Sequence, residues 1–237
     1  MSLEIKNTKD IAGKAVNIMI YGISSAGKTS LLSGLSGKTL IISAEGGLLV
    51  LKDSAIDVVE VKSIDELAEV YTLLKSKEYD YENVAIDSLT EIADMIVNDL
   101  DSLEYYQDPK NAFVLWKDYS KKLIKIVKMF RDLDANVIFT ALEDTVEDNG
   151  ALTKNASVQG KKAQGKLISI QDEFYRLHIN KEGKRILSTD STNFFLAKSR
   201  AGLFEKEYEV EQGSTILGDM LEAIRTNTKL TKTKKDK

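Results

Sequence analysis

Short apolar runs alternate along this chain with longer stretches whose apolar residues recur every three or four positions. The two periods predict different elements. Runs 16–21, 39–43, 57–61, 83–87 and 136–141 are brief and lack strict alternation. Strands of a parallel sheet covered on both faces read this way. Between them, Ile64, Leu67, Ala68, Tyr71 and Leu74 share one helical face, with Ser63 as N-cap and Glu66 three residues on. A longer helix is predicted over 111–133, with Trp116, Ser120, Leu123, Val127 and Phe130 as its buried stripe and Asn111 as its cap. Residues 89–106 also read as helical, with Tyr105 and Tyr106 in core or helix-end packing.

After residue 142 the pattern changes. Asn149-Gly150 sits between two possible strands within 143–157, a short-range hairpin signal. Residues 158–166 are polar, basic and Gly-containing, and predict a loop. Strands follow near 173–180, 184–189 and 193–198, the first two joined by a turn at Glu182-Gly183. A last helix spans 215–226. The predicted fold class is α/β, a mainly parallel sheet with helices on both faces and an antiparallel extension in the C-terminal half. No repeat or linker interrupts it, so residues 1–226 form one domain and 227–237 a basic, disordered tail.

Composition narrows the chemistry. The chain carries a net charge of −4, yet residues 227–237 alone hold five Lys and one Asp, or +4, leaving −8 elsewhere. Any nucleic-acid contact must then come from a local patch or the tail. There is no cysteine, which excludes disulfides and Cys-based zinc sites. His178 is the only histidine and reads as a strand residue. No apolar run is long enough to span a membrane, and the N-terminus lacks a signal peptide's apolar stretch, so the expected location is the cytoplasm.

The chemistry is concentrated at Gly22-Ile23-Ser24-Ser25-Ala26-Gly27-Lys28-Thr29, followed by Ser30. This is the pattern of a phosphate-binding loop, placed between a predicted strand and a predicted helix. Its glycines let backbone N–H groups wrap a phosphate. Lys28 can reach the outer phosphates of a nucleoside triphosphate, and the Thr29 hydroxyl can ligate Mg²⁺. The run Val84-Ala85-Ile86-Asp87 ends in the second Mg²⁺-side carboxylate that such a loop requires. Glu45, followed by Gly46 and Gly47 after the second strand, is the candidate to activate water. Glu91 is its rival, one turn into a helix and expected to point away from the phosphates.

Lys28, Glu45 and Asp87-Ser88 together resemble the core of RecA-like recombination ATPases. The stretch Leu196-Ala197-Lys198-Ser199-Arg200-Ala201-Gly202 is similar to an element that, in that family, reaches a neighbour's γ-phosphate. The compact RecA-like proteins of phages and prophages, some acting in single-strand annealing, are the nearest match over 16–226. The resemblance implies an ATPase acting on single-stranded DNA in a bacterial host, with ATP and Mg²⁺ at subunit interfaces of a homo-oligomer. It implies Lys198 and Arg200 as fingers acting in trans, and a single-strand-binding or other recombination protein as a further partner. Two departures stand out. The family's sensing Gln is absent after strand 136–141, leaving Thr140 or Glu143 for that role. The expected DNA loop, 143–166, offers Lys154, Lys161, Lys162 and Lys166 but no aromatic platform.

Two other readings share parts of this pattern. A nucleotide-switched loader with slow hydrolysis shares every motif. A GTPase would need an Asn-Lys-x-Asp motif, whereas Asn180-Lys181-Glu182-Gly183 lacks the Asp; a kinase would need an Arg-rich lid, and none is evident.

Overall fold

The apolar runs become neighbouring strands of one mixed sheet in the computed structural model, which describes Asn7, residues 15–148 and residues 150–231. In chain order the strands are β1 (Asn17–Gly22), β2 (Thr39–Ser43), β3 (Asp57–Glu60), β4 (Asn83–Asp87), β5 (Asn136–Asp148), β6 (Ala151–Ala156), β7 (Glu173–Ile179), β8 (Arg185–Ser188), β9 (Lys198–Ser199) and β10 (Glu207–Glu209). The helices are α1 (Lys28–Leu31), α2 (Ile64–Ser76), α3 (Leu89–Asp101), α4 (Glu104–Gln107), α5 (Ala112–Arg131), α6 (Lys161–Ile170) and α7 (Ile216–Thr226). The sheet order is β10-β8-β7-β1-β5-β4-β2-β3. From β7 to β3 every neighbouring pair is parallel; β8, β9 and β10 add antiparallel.

Alternation within each strand builds two cores. Met19, Tyr21, Ile42, Ile86 and Phe139 face α2, α3, α5 and α6. Ile18, Ile20, Ile41, Ala85 and Ile138 face the opposite layer, with Leu31 of α1 and Leu217 of α7. Each fully buried aliphatic side chain contributes roughly 1.5–3 kcal/mol. The register then aligns the strand ends that matter: Gly22 lies opposite Leu142, and Ser43 opposite Asp87. The C-terminal ends of β1, β2 and β4, and the middle of β5, meet at one sheet edge, where parallel α/β sheets bind ligands. Among the described residues no helix is long and apolar enough to cross a membrane.

Several sequence expectations are revised. Residues 161–170 form α6 rather than a loop: Ala163 and Leu167 are buried one turn apart beneath the lysines. The stripe of α5 is rotated at its start, where Leu115 and Tyr119 are buried while Trp116 is 43% exposed. Asn111 does not cap that helix through its side chain; its amide donates to the Tyr105 carbonyl. On α2 the Ser63 hydroxyl caps the Glu66 N–H as expected, but the Glu66 carboxylate accepts from the Lys62 N–H, one residue before the cap, and Val70 rather than Ala68 is buried. The predicted 193–198 strand shrinks to β9, and β10 is an addition. Residues 227–231, expected in the tail, pack against the domain. Asn227 closes α7 in a left-handed conformation, and Leu230 docks beside Phe204 with its N–H on the Leu203 carbonyl. Residues 232–237 and Asn149 lie outside the described residues.

Candidate nucleotide and magnesium site

The loop Gly22–Thr29 leaves β1 and folds back on itself. Gly22 has no alternative: a Cβ there would lie 2.1 Å from the Leu177 carbonyl oxygen of β7. Gly27 has φ +101°, a left-handed conformation open to glycine. Ala26 is buried beneath the loop, while Ser24 and Ser25 are exposed along its crest. The following helix is short, since α1 passes into a 3₁₀ turn at Leu32–Gly34. Ser30 sits on it, half-buried. Loop amides and Lys28, more than a long helix dipole, therefore supply the positive field.

Lys28 is buried and its ammonium donates to the carbonyls of Gly22 and Ile23, each at 3.0 Å. Burial pushes its pKa down, opposed by the negative charges of Glu45, Asp87 and Glu143. A cation held this way fits a ligand that brings several negative oxygens.

Asp87 ends β4 and is 2% exposed. Its carboxylate accepts from the Thr29 hydroxyl at 2.8 Å and, on its other oxygen, from the Thr140 hydroxyl of β5. Its main-chain carbonyl accepts from the N–H groups of Ala44 and Glu45, which tethers the end of β2. Thr29 and Asp87 thus stand in direct contact as a hydroxyl–carboxylate pair. These are the hard oxygen donors that Mg²⁺ takes alongside phosphates and water, so the residues fit that ion.

Glu45 is exposed at the tip of β2 and within electrostatic reach of Lys28. Glu91 lies in the first turn of α3. Its pKa is pushed up by burial first, then by Asp94 and Glu45, so it shares the field of Glu45.

Further groups stand at this edge, of which sequence offered Thr140 and Glu143 only as alternatives for a sensing role. Thr140 is fully buried inside an apolar strand run, and only its hydroxyl's contact with Asp87 reveals its part. Glu143 and Arg176 form a two-pronged ion pair, at 2.6 and 3.2 Å, on the opposite sheet face from α1. Arg185 lies beside Gly27, its Nε 3.3 Å from where a Cβ would stand.

Lys198 and Arg200 stand apart from the Gly22–Thr29 loop. β9 pairs with the start of β7, Lys198 opposite Phe174, which in turn lies opposite Met19. The Lys198 ammonium donates to the carbonyls of Ile168 and Gln171 at the end of α6. Arg200 bonds Asp172 at 3.0 Å and the Ser169 carbonyl, with its side chain half exposed.

A protein-family model described as an AAA domain matches residues 14–201. No curated protein matches the chain.

Proposed function

The chain belongs to the AAA domain family, and on that footing we propose that it is a Mg²⁺-dependent ATPase coupled to single-stranded DNA in recombination or strand annealing. The observation that carries the reading is the convergence of Lys28, the Thr29 hydroxyl and the Asp87 carboxylate at one sheet edge.

In this reading the phosphates of ATP lie along the amides of Gly22–Thr29. Lys28 exchanges its two carbonyl partners for phosphate oxygens, where its charge offsets the negative charge developing on the transferred phosphoryl group. Thr29 and Asp87 hold Mg²⁺, which when bound supplies further charge neutralisation at the phosphates. Thr140 keeps the Asp87 carboxylate oriented. Glu45 orients a water and takes its proton as the water oxygen attacks the γ-phosphorus. The bond from that phosphorus to the β,γ-bridging oxygen breaks, and ADP and phosphate leave.

Two features extend the reading beyond one subunit. β5 supplies Thr140 and then leads through the β5–β6 hairpin toward Lys154 and the lysines of α6, which gives DNA a route to the site. A second copy would present Arg200, with Lys198 beside it, to the γ-phosphate.

Steady-state ATP turnover with and without single-stranded DNA tests the coupling. Turnover should rise with DNA at low salt, lose that rise as salt is added, and vanish in Lys28→Ala. A rate indifferent to DNA at low salt overturns the DNA-coupled reading and leaves the loader. Mixing Lys198→Ala with Lys28→Ala subunits tests the shared site. Partial recovery of activity supports it, and no recovery at any ratio between assembled mutants removes it.

A further inference from the structure

The packing of α5 against α6 leaves a groove of about 890 Å³ on the sheet face opposite α1. On α5, the rim consists of Lys117, Lys121, Lys125 and Lys128, all exposed. Their spacing of four, four and three residues sets them in one row, roughly 16 Å long at 1.5 Å per residue. On α6, Lys161, Lys162 and Lys166 form the facing rim. The floor is apolar, with Ile124 and Ala163, and one end carries Trp116 and Phe113, which are 43% and 82% exposed. Asp132 is the one carboxylate among the described lining residues, and it is paired with Arg131 at 2.7 Å.

These features select among polyanions. A flat bilayer does not reach an apolar floor recessed between two cationic rims. A duplex hides the faces of its bases, whereas a single strand offers them for stacking on aromatic rings. A row of about 16 Å covers four or five phosphates at the 3.4 Å spacing of a stacked strand.

We propose that this groove is the track for a single DNA strand, with its phosphates along the lysine rims and its bases stacked on Trp116 and Phe113. The assignment rests on the reading that single-stranded DNA is a partner. It keeps Lys161, Lys162 and Lys166 of the expected 143–166 loop, which stand on α6, adds the lysine row of α5, and supplies the aromatic platform that loop lacks. The groove also communicates with the nucleotide site. Trp116 packs edge-on against Tyr119, whose hydroxyl accepts from the Gln159 N–H. Two residues earlier the Ser157 carbonyl accepts from Thr90, at the start of the helix that follows Asp87.

Trp116 is the only tryptophan in the chain, so its emission reports on the groove directly. The full chain would be titrated with a labelled oligodeoxythymidylate of about 16 nucleotides, following Trp116 emission and strand anisotropy together. Binding should quench Trp116. If four phosphates are neutralised, affinity should fall about 50-fold between roughly 50 and 200 mM salt. The triple variant Lys117→Glu, Lys125→Glu, Lys162→Glu should bind at least ten times more weakly, with ATP binding retained. A strand that binds without changing Trp116 emission, and binds the triple variant equally well, overturns the groove while leaving the DNA reading intact. No single-strand binding at low salt, with or without ATP, overturns both. Polyglutamate that quenches Trp116 and displaces the strand at equal affinity overturns the nucleic-acid assignment in favour of an acidic polypeptide.

Discussion

Lys28 illustrates how a side chain can be well bonded and still unfavourably placed. Its two carbonyl partners take two of its three hydrogens but do not neutralise its charge, and burial lowers its pKa. Its folded pKa lies below its unfolded value near 10.4. Between those two values the unfolded chain binds the extra proton, so stability rises with pH through this window and falls as pH drops through the folded pKa. Lys28→Met keeps the volume and removes the charge. Without nucleotide, this variant should melt at or above the wild-type temperature at pH about 7.5, and the gap should close as pH approaches about 10. Added Mg²⁺-ATP should raise the melting temperature of the wild type and not of the variant. A variant that melts well below wild type at neutral pH would mean that the carbonyl bonds outweigh the cost of burying the charge.

At the scale of elements, the junction of β1 and β7 sets the position of the phosphate loop. The Leu177 carbonyl occupies the space a Gly22 side chain would need, and both atoms belong to strand backbone that cannot swing aside. Gly22→Ala should cost about 1–3 kcal/mol, read from chemical denaturation, together with weakened nucleotide binding. Unchanged stability would show that the two strands can part locally. Most strands were legible in the sequence because they are short and buried on both faces. The hairpin was legible because the Asn149-Gly150 pair is a turn signal in the sequence between two strand-like runs. α6 was not, since two glycines and three lysines mask the Ala163–Leu167 spacing that buries it. The N-terminal face of α5 was misjudged because Leu115 and Tyr119 compete with Trp116 for the core, and shape decides between them. For the site, Lys28, Thr29, Asp87 and Glu45 could be read from motif and strand position. Thr140 and Glu143 could be read only as alternatives for one role, and Arg176 not at all, because their partners lie far away in sequence.

For the molecule as a whole, the end of the described chain acts as a clasp. The Leu230 N–H bonds the Leu203 carbonyl, its own carbonyl accepts from the Tyr208 hydroxyl, and its side chain joins the core around α7. A chain ended at Thr226 should lose roughly 2 kcal/mol and melt about 4–8 °C lower, whereas one ended at Thr231 keeps these contacts. Equal melting of the two would show the clasp to be idle. β5 spans a comparable reach at the other end of the fold. It is held between β1 and β4 up to its middle, then leaves the parallel sheet with β6 alone beside it. From Thr140 to Asp148 it extends about 27 Å at 3.4 Å per residue. It is in effect a lever with its fulcrum beside Asp87. A rocking of about 3° at Thr140 sweeps the hairpin tip through roughly 1.4 Å over that length. A disturbance of the Thr140–Asp87 contact would then be carried along one strand to the hairpin tip, with no domain having to move.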